Sequence, residues 1–316
     1  MTRTTSRPPL LLGIGGAHID RRGQVAGIYV PGASNPGTMR EDVGGVVFNA
    51  LRTARRRGVG CALISMRGGD SGGERVAREI AEAGIEDHSA VFLDRVTASY
   101  TALIDRDGDL IAGFADMGLY DLFPRQLRRS ACREAIAGAD AILCDANLPA
   151  AALELVASAA AGKPFHAIGI SPAKVIRLNG LLDQVDCLFM NRKEALTLAG
   201  LDGDSPADVV AVLRAKGLRG AVVTDGAGPV TIFDAASRYT IAPPSPRHIA
   251  DVTGAGDALA GATVASLARG VPLMDAAREG LAAAMLALES PFAVPTFDAD
   301  EFAAALALVP AAVPVA

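Results

Sequence analysis

Short apolar runs alternate along this chain with longer stretches in which apolar residues recur every three or four positions. The runs LLLGIGG (10–16), CALISM (61–66), AILCDA (141–146), FHAIGI (165–170), CLFM (187–190) and AVVTDG (221–226) predict strands. Between them, GVVFNALRTARRRG (45–58), GGERVAREIAEAG (72–84), PAAALELVASAAAG (149–162) and RKEALTLAG (192–200) predict helices, several ending in glycine. Strands alternating with helices predict an α/β fold, a mostly parallel central sheet flanked by helices.

One region departs from this alternation. Residues 96–115, VTASYTALIDRDGDLIAGFA, predict two strands around Asp107-Gly108, and the glycine- and proline-rich segment 20–43 is loop-like or strand-like. These two segments predict a small β-lid projecting from the main sheet. With no internal repeat and no low-complexity linker, residues 1–316 are expected to form a single domain.

Composition narrows the function classes. Half of the 316 residues are apolar, enough for a large core, and the formal net charge is −5. That charge excludes a basic nucleic-acid-coating surface. The most basic run, Arg55-Arg56-Arg57, closes a predicted helix, where it complements the helix C-terminus as a solvated face. Cys61, Cys132, Cys144 and Cys187 lack metal-ligand or disulfide-frame spacing and are expected in the core of a reduced, cytoplasmic protein. The apolar stretch 10–17 is too short and too glycine-rich for a signal peptide, and no run is long enough to span a membrane.

The chemistry concentrates in DVTGAGDALAGA (251–262). Gly254-Ala255-Gly256 puts consecutive N–H groups at the mouth of a predicted helix, a concavity for an anion that only small residues let a phosphate approach. The lysine of a GxxxxGK[ST] loop is missing. Asp257 follows at once. It either caps the helix or takes a proton from a hydroxyl attacking a phosphate held by the turn.

DVTGAGDALAGA resembles the C-terminal signature of the ribokinase-like, or PfkB, carbohydrate and nucleoside kinases, and the likeness extends over nearly the whole chain. It implies a ribokinase-like fold, ATP as phosphoryl donor, Mg²⁺ as cofactor and a small-molecule sugar or nucleoside acceptor. By that resemblance Asp257 is the general base, and Gly254, Ala255 and Gly256 form the anion hole. Gly44, Gly45 and Asn49 match the signature helix beside the sugar, and Asp20, closing GGAHID, matches the acid that grips sugar hydroxyls. Asn191 and Glu194 in NRKEA match the segment that organises Mg²⁺ and the nucleotide phosphates, Glu194 through water. Thr224, Gly226 and Gly228 match the strand-turn that contacts ATP. Asp251 and Thr253 match a site for a monovalent cation, K⁺.

Within the family, ASNPGTMREDVGGVVFN (33–49) resembles the pseudouridine kinases. That likeness implies transfer to the 5′-hydroxyl of pseudouridine, with Ser34 and Asn35 reading the uracil edge and Asp116, Asn147 and Lys174 as further substrate contacts. Asp145, beside Asn147, supports the match. His18 replaces the family's usual Asn, and HAIGIS (166–171) lacks a usual Asp-Pro pair. Another sugar or nucleoside (ribose, a ketose, uridine) is the alternative acceptor. GIGGAHID also faintly resembles a dinucleotide-binding fingerprint, but His18 stands where its third glycine belongs. An exposed β-lid would pair with its copy in a homodimer.

Overall fold

The computed structural model describes residues 7–202 and 206–315. The predicted strands line up in a ten-stranded sheet. From one edge its order is Val313–Pro314, Arg238–Ile241, Gly228–Phe233, Ala221–Asp225, Cys187–Asn191, Phe165–Ile168, Ala141–Asp145, Leu10–Ile14, Gly60–Ile64 and Glu86–Asp87. Every pairing from Ala221–Asp225 to Glu86–Asp87 is parallel, and the first three strands add an antiparallel edge.

The central strands read as unbroken apolar runs because both faces of the sheet are covered. Leu12, Ile14, Ile142 and Cys144 join one core with Phe123, Leu153 and Leu198. Leu11 and Leu143, one position out of phase, join the other with Phe48, Leu51 and Leu281. All four cysteines are free and buried.

The helix Ala255–Ala268 is buried from Ala258 through Ser266. It packs between the helices Val46–Arg56 and Leu273–Leu288. Its contact with the first is close because Gly261 has no side chain: a Cβ there would sit 2.1 Å from the Ala50 carbonyl oxygen. No helix among the described residues is long and apolar enough to cross a membrane.

A separate four-stranded sheet has the order Gly37–Gly44, His18–Val25, Ser99–Ile104 and Leu110–Asp116. Its two middle strands pair in parallel and its outer strands antiparallel. It thus draws on both segments expected to depart from the alternation. The turn at Asp107-Gly108 is wider than a two-residue hairpin. The Asp105 carboxylate accepts the N–H groups of Asp107 and Asp109, both at 2.9 Å, and Gly108 takes φ 95°.

Two local expectations are corrected. CALISM divides at Ser65: Gly60–Ile64 stays in the main sheet, and Met66–Gly68 pairs with Ala90–Phe92. Ser65 marks the break by accepting the Ala17 N–H at its hydroxyl and the Ala90 N–H at its carbonyl. Arg57 is not simply a solvated end of its helix. It donates to Glu279 at 2.9 Å, and its guanidinium lies 3.4 Å over the Phe302 ring.

Candidate active site

The carboxyl ends of the parallel strands share one edge of the main sheet, where open α/β sheets gather their ligands. The helix Ala255–Ala268 points its N-terminus at this edge. Gly254 is its N-cap at φ 81°, and a Cβ there would strike the Ala293 carbonyl at 2.1 Å. The helix therefore begins one residue into the GAG turn. Its first intrahelical bond runs from Ala258 N–H to Gly254 O at 2.8 Å, so the N–H groups of Ala255, Gly256 and Asp257 precede the ladder. Three donors at a positive dipole end are suited to phosphate oxygens.

Asp257 does not cap this helix. The N-cap is a glycine without a side-chain bond, and the Asp257 carboxylate instead accepts from Asn49 Nδ2 at 3.0 Å. Burial pushes the Asp257 carboxyl up to about 7. The Asn49 hydrogen bond opposes the shift, while the neighbouring Asp145 and Asp20 carboxylates add to it. A carboxyl group poised near neutrality can take a proton at working pH.

Asn49 is held by the helix Val46–Arg56, whose N-cap Gly45 has φ 124°. A Cβ on Gly45 would lie 2.1 Å from the Gly16 carbonyl oxygen, so only glycine lets the two segments cross here. Gly44 is needed for a different reason. Its missing Cβ leaves the space that Asp20 Oδ2 occupies, 1.9 Å from where that Cβ would be. Asp20 also lies 3.3 Å from His18 Nε2, and His18 Nδ1 lies 3.2 Å from the Tyr120 hydroxyl. His18 thus braces Asp20 against the buried Tyr120.

Asp145 ends its strand beneath this cluster. Burial pushes its carboxyl up to about 6, against the Asn147 N–H, which donates to Oδ1 at 2.8 Å. Its Oδ2 and the Oδ1 of Asn49 are buried without a hydrogen-bond partner. Orphaned buried acceptors call for donors, and a polyhydroxylated ligand would bring them. Lys174 donates to Asn147 Oδ1 at 2.6 Å, so these two expected contacts stand side by side.

The structure does not bring every expected residue to this cluster. Ser34 and Asn35 lie in an exposed loop, and the Asn35 amide closes that loop on itself. Its Oδ1 accepts from Val30 N–H at 2.8 Å, and its Nδ2 donates to the carbonyls of Val30 and Ala33. Asp116 is exposed and pairs with Ser99 and, through it, Ile19. That row lies on the opposite face of the small sheet from Asp20.

On the other side of Asp257 is a cleft of about 220 Å³, partly open to solvent, lined by residues including Ile170, Asn191, Glu194, Thr224 and Gly256. Asn191 and Glu194 form a capping box for the helix Arg192–Ala199. Asn191 Oδ1 accepts the Glu194 N–H, Glu194 Oε2 accepts the Asn191 N–H, and Asn191 Nδ2 donates to Glu194 Oε1 at 2.7 Å. Burial raises the Glu194 carboxyl above its ordinary value. Gly226 takes φ 58° at the turn into Gly228–Phe233. The Asp-Pro pair missing from HAIGIS leaves Gly169 and Ile170 here. Gly169 lets Glu194 Oε2 approach, 2.7 Å from where a Cβ would stand, and Ile170 adopts φ 78°, unusual for a β-branched residue. No group of three or more His, Cys, Asp or Glu side chains fit to hold a metal occurs among the described residues.

Sequence reasoning missed Tyr120 and Arg22. Arg22 reaches from the small sheet to Asp251 and Thr253, in front of the helix mouth.

Residues 9–298 match the model of the pfkB family of carbohydrate kinases. The chain belongs to this family. A pseudouridine kinase from Escherichia coli (strain K12) is 28% identical over 279 residues, covering 87% of this chain and 89% of that protein. The structure of a carbohydrate kinase from Agrobacterium tumefaciens superposes with TM-score 0.87 at 45% identity, covering 97% of this chain and 100% of that one. Arabidopsis thaliana ribokinase, complexed with ribose and ATP, has TM-score 0.85 at 21% identity, covering 95% and 99%, a likeness of fold. The PfkB chain described here is thus a ribokinase-fold carbohydrate or nucleoside kinase, a phosphotransferase acting on small molecules.

Proposed function

We propose that this PfkB kinase transfers the γ-phosphoryl group of ATP to the 5′-hydroxyl of pseudouridine, giving pseudouridine 5′-phosphate and ADP. One observation carries the reading: a carboxyl group poised near pH 7 stands on the first turn of an anion-ready helix, beside buried acceptors that lack donors. Asp20, Asn49 and Asp145 hold the ribose hydroxyls, with Asn147 and Lys174 beside them. Asp257 takes the 5′-hydroxyl proton as that oxygen bonds to phosphorus and the bond to the ADP oxygen breaks. The N–H groups of Ala255, Gly256 and Asp257, with the Gly254 turn, hold the charge on the transferred group.

Asn191, Glu194, Thr224, Gly226 and Gly228 face the nucleotide. Glu194, through water, would help to hold Mg²⁺, which would supply positive charge against the phosphates. The small sheet acts as a lid that excludes water and pairs with its copy in a homodimer, and the protein works in the cytoplasm.

The choice of pseudouridine rests on the likeness to the E. coli enzyme and on the polar loop around Ser34. In this reading Asn35 braces the loop and the Ser34 hydroxyl meets the base. ATP-dependent phosphorylation of pseudouridine, uridine, ribose and fructose, compared at matched concentrations with Mg²⁺, tests it. The expected result is at least a ten-fold higher kcat/KM for pseudouridine. A higher value for uridine or ribose would overturn the acceptor assignment and leave the kinase class standing.

A further inference from the structure

Arg22 is a lid residue that does not spend its charge within the lid. In the small sheet it stands directly opposite Arg40, a like-charged neighbour that disfavours the pairing. Its guanidinium instead leaves the sheet and forks onto the loop in front of the helix mouth. Nη1 donates to Asp251 Oδ2 at 2.6 Å and Nη2 to Thr253 Oγ1 at 3.0 Å. The remaining oxygen, Asp251 Oδ1, accepts both the Thr253 N–H at 2.9 Å and the Thr253 hydroxyl at 2.8 Å. Gly254, the N-cap, follows immediately. A single side chain therefore ties residues 229 positions or more apart, joining the sheet that covers the acceptor to the turn that receives the phosphate.

These are the residues at which family resemblance implies K⁺. Their donor set does not fit a second cation. Each side-chain oxygen of Asp251 and Thr253 already meets an N–H or O–H donor, and a fixed positive charge sits on the carboxylate. A potassium ion there would face the guanidinium at short range.

We propose that Arg22 is a positioning residue that takes the place of a monovalent cation, locking the 251–254 loop and thereby the anion-holding turn when the lid is seated. The enzyme then needs no added monovalent cation, and lid closure and assembly of the phosphate site become one event. A guanidinium suits this task because its planar fork fixes two acceptors in one defined geometry, a directionality that a spherical ion or a rotatable ammonium lacks.

The inference rests on the reading of the 254–256 turn as the phosphate holder, so its test includes a measurement that needs no turnover. Amide hydrogen exchange over residues 250–257 is compared in the full-length protein and in Arg22→Ala, without nucleotide. Exchange at least five-fold faster in the variant is expected, and unchanged exchange would overturn the lock. Phosphotransfer by the unsubstituted enzyme is then measured in K⁺ and in tetramethylammonium. Rates within two-fold are expected, and a five-fold or greater activation by K⁺ would overturn the replacement of the cation. Arg22→Ala is expected to lose at least ten-fold in kcat with a smaller change in acceptor KM, and guanidinium or K⁺ should restore part of the loss. Full kcat in the variant would overturn the positioning role. If no acceptor is phosphorylated by the unsubstituted enzyme, the functional reading fails, while the exchange measurement still judges the lock.

Discussion

Asn49 and Asp257, 208 positions apart, meet at 3.0 Å, the amide of one helix donating to the carboxylate at the mouth of another. The bond orients the carboxylate proposed as base and opposes the rise in its proton affinity. Asp257→Asn keeps the shape of the pair and removes the base. Its kcat should fall by roughly 10²–10⁴-fold, the range attributed to general-base catalysis. Binding of a non-hydrolysable ATP analogue should stay within a few-fold, measured by titration calorimetry. Near-full turnover in this variant would exclude Asp257 as base.

Removing the donor should shift the pH dependence of turnover, beside weakening the acceptor binding in which Asn49 is proposed to share. Without the Asn49 amide, the charged form of Asp257 loses the hydrogen bond that lowers its proton affinity. In Asn49→Ala the acid limb of the kcat profile should move to higher pH than in the parent, where it is expected to fall as pH drops below about 7. An unmoved limb would mean that another group titrates.

The same carboxyl group makes a stability prediction with a definite sign. Its folded value of about 7 lies above its ordinary 3.8, so the folded state holds a proton that the unfolded chain has lost between those values. Stability from this group is full below about 4 and declines as pH rises through 7. Asp257→Asn should therefore flatten the dependence of Tm on pH over that range and raise Tm at pH 8. A variant less stable than the parent at pH 8 would contradict the assignment.

Gly261→Ala tests the packing that holds Asp257 in place. On an exposed helix this change stabilises by about 1 kcal/mol. Here the new methyl would sit 2.1 Å from the Ala50 carbonyl and force two helices apart. The expected outcome is a loss of at least ~2 kcal/mol by thermal or urea unfolding, with kcat lowered as Asn49 is drawn away from Asp257.

What the sequence made legible was local. The apolar runs located the parallel strands because both of their faces are buried, and Asn191 with Glu194 three positions on could be placed at a helix start because a capping box is a contact within one turn. The edge strands Arg238–Ile241 and Val313–Pro314 carried no such signal: they are short, and the latter is exposed. Tyr120 and Arg22 stayed hidden because their partners lie 102 and 229 or more residues away, and no local pattern marks a side chain whose role is to reach another element. Asn35 was legible as a polar loop residue but not as one whose amide is already used within the loop.

The helix that carries Asp257 is wrapped by protein from Ala258 through Ser266, whereas the Ser34 loop is exposed on a separate, smaller sheet. In the proposed reading, chemistry and recognition are thus built on parts with different freedom to vary. A mutation along the buried rod threatens the whole fold, while the outlying hairpins can drift at little risk to it. Among relatives named for acceptors as different as pseudouridine and ribose, that division would let new substrates be acquired by remodelling the periphery around an unchanging reactive centre.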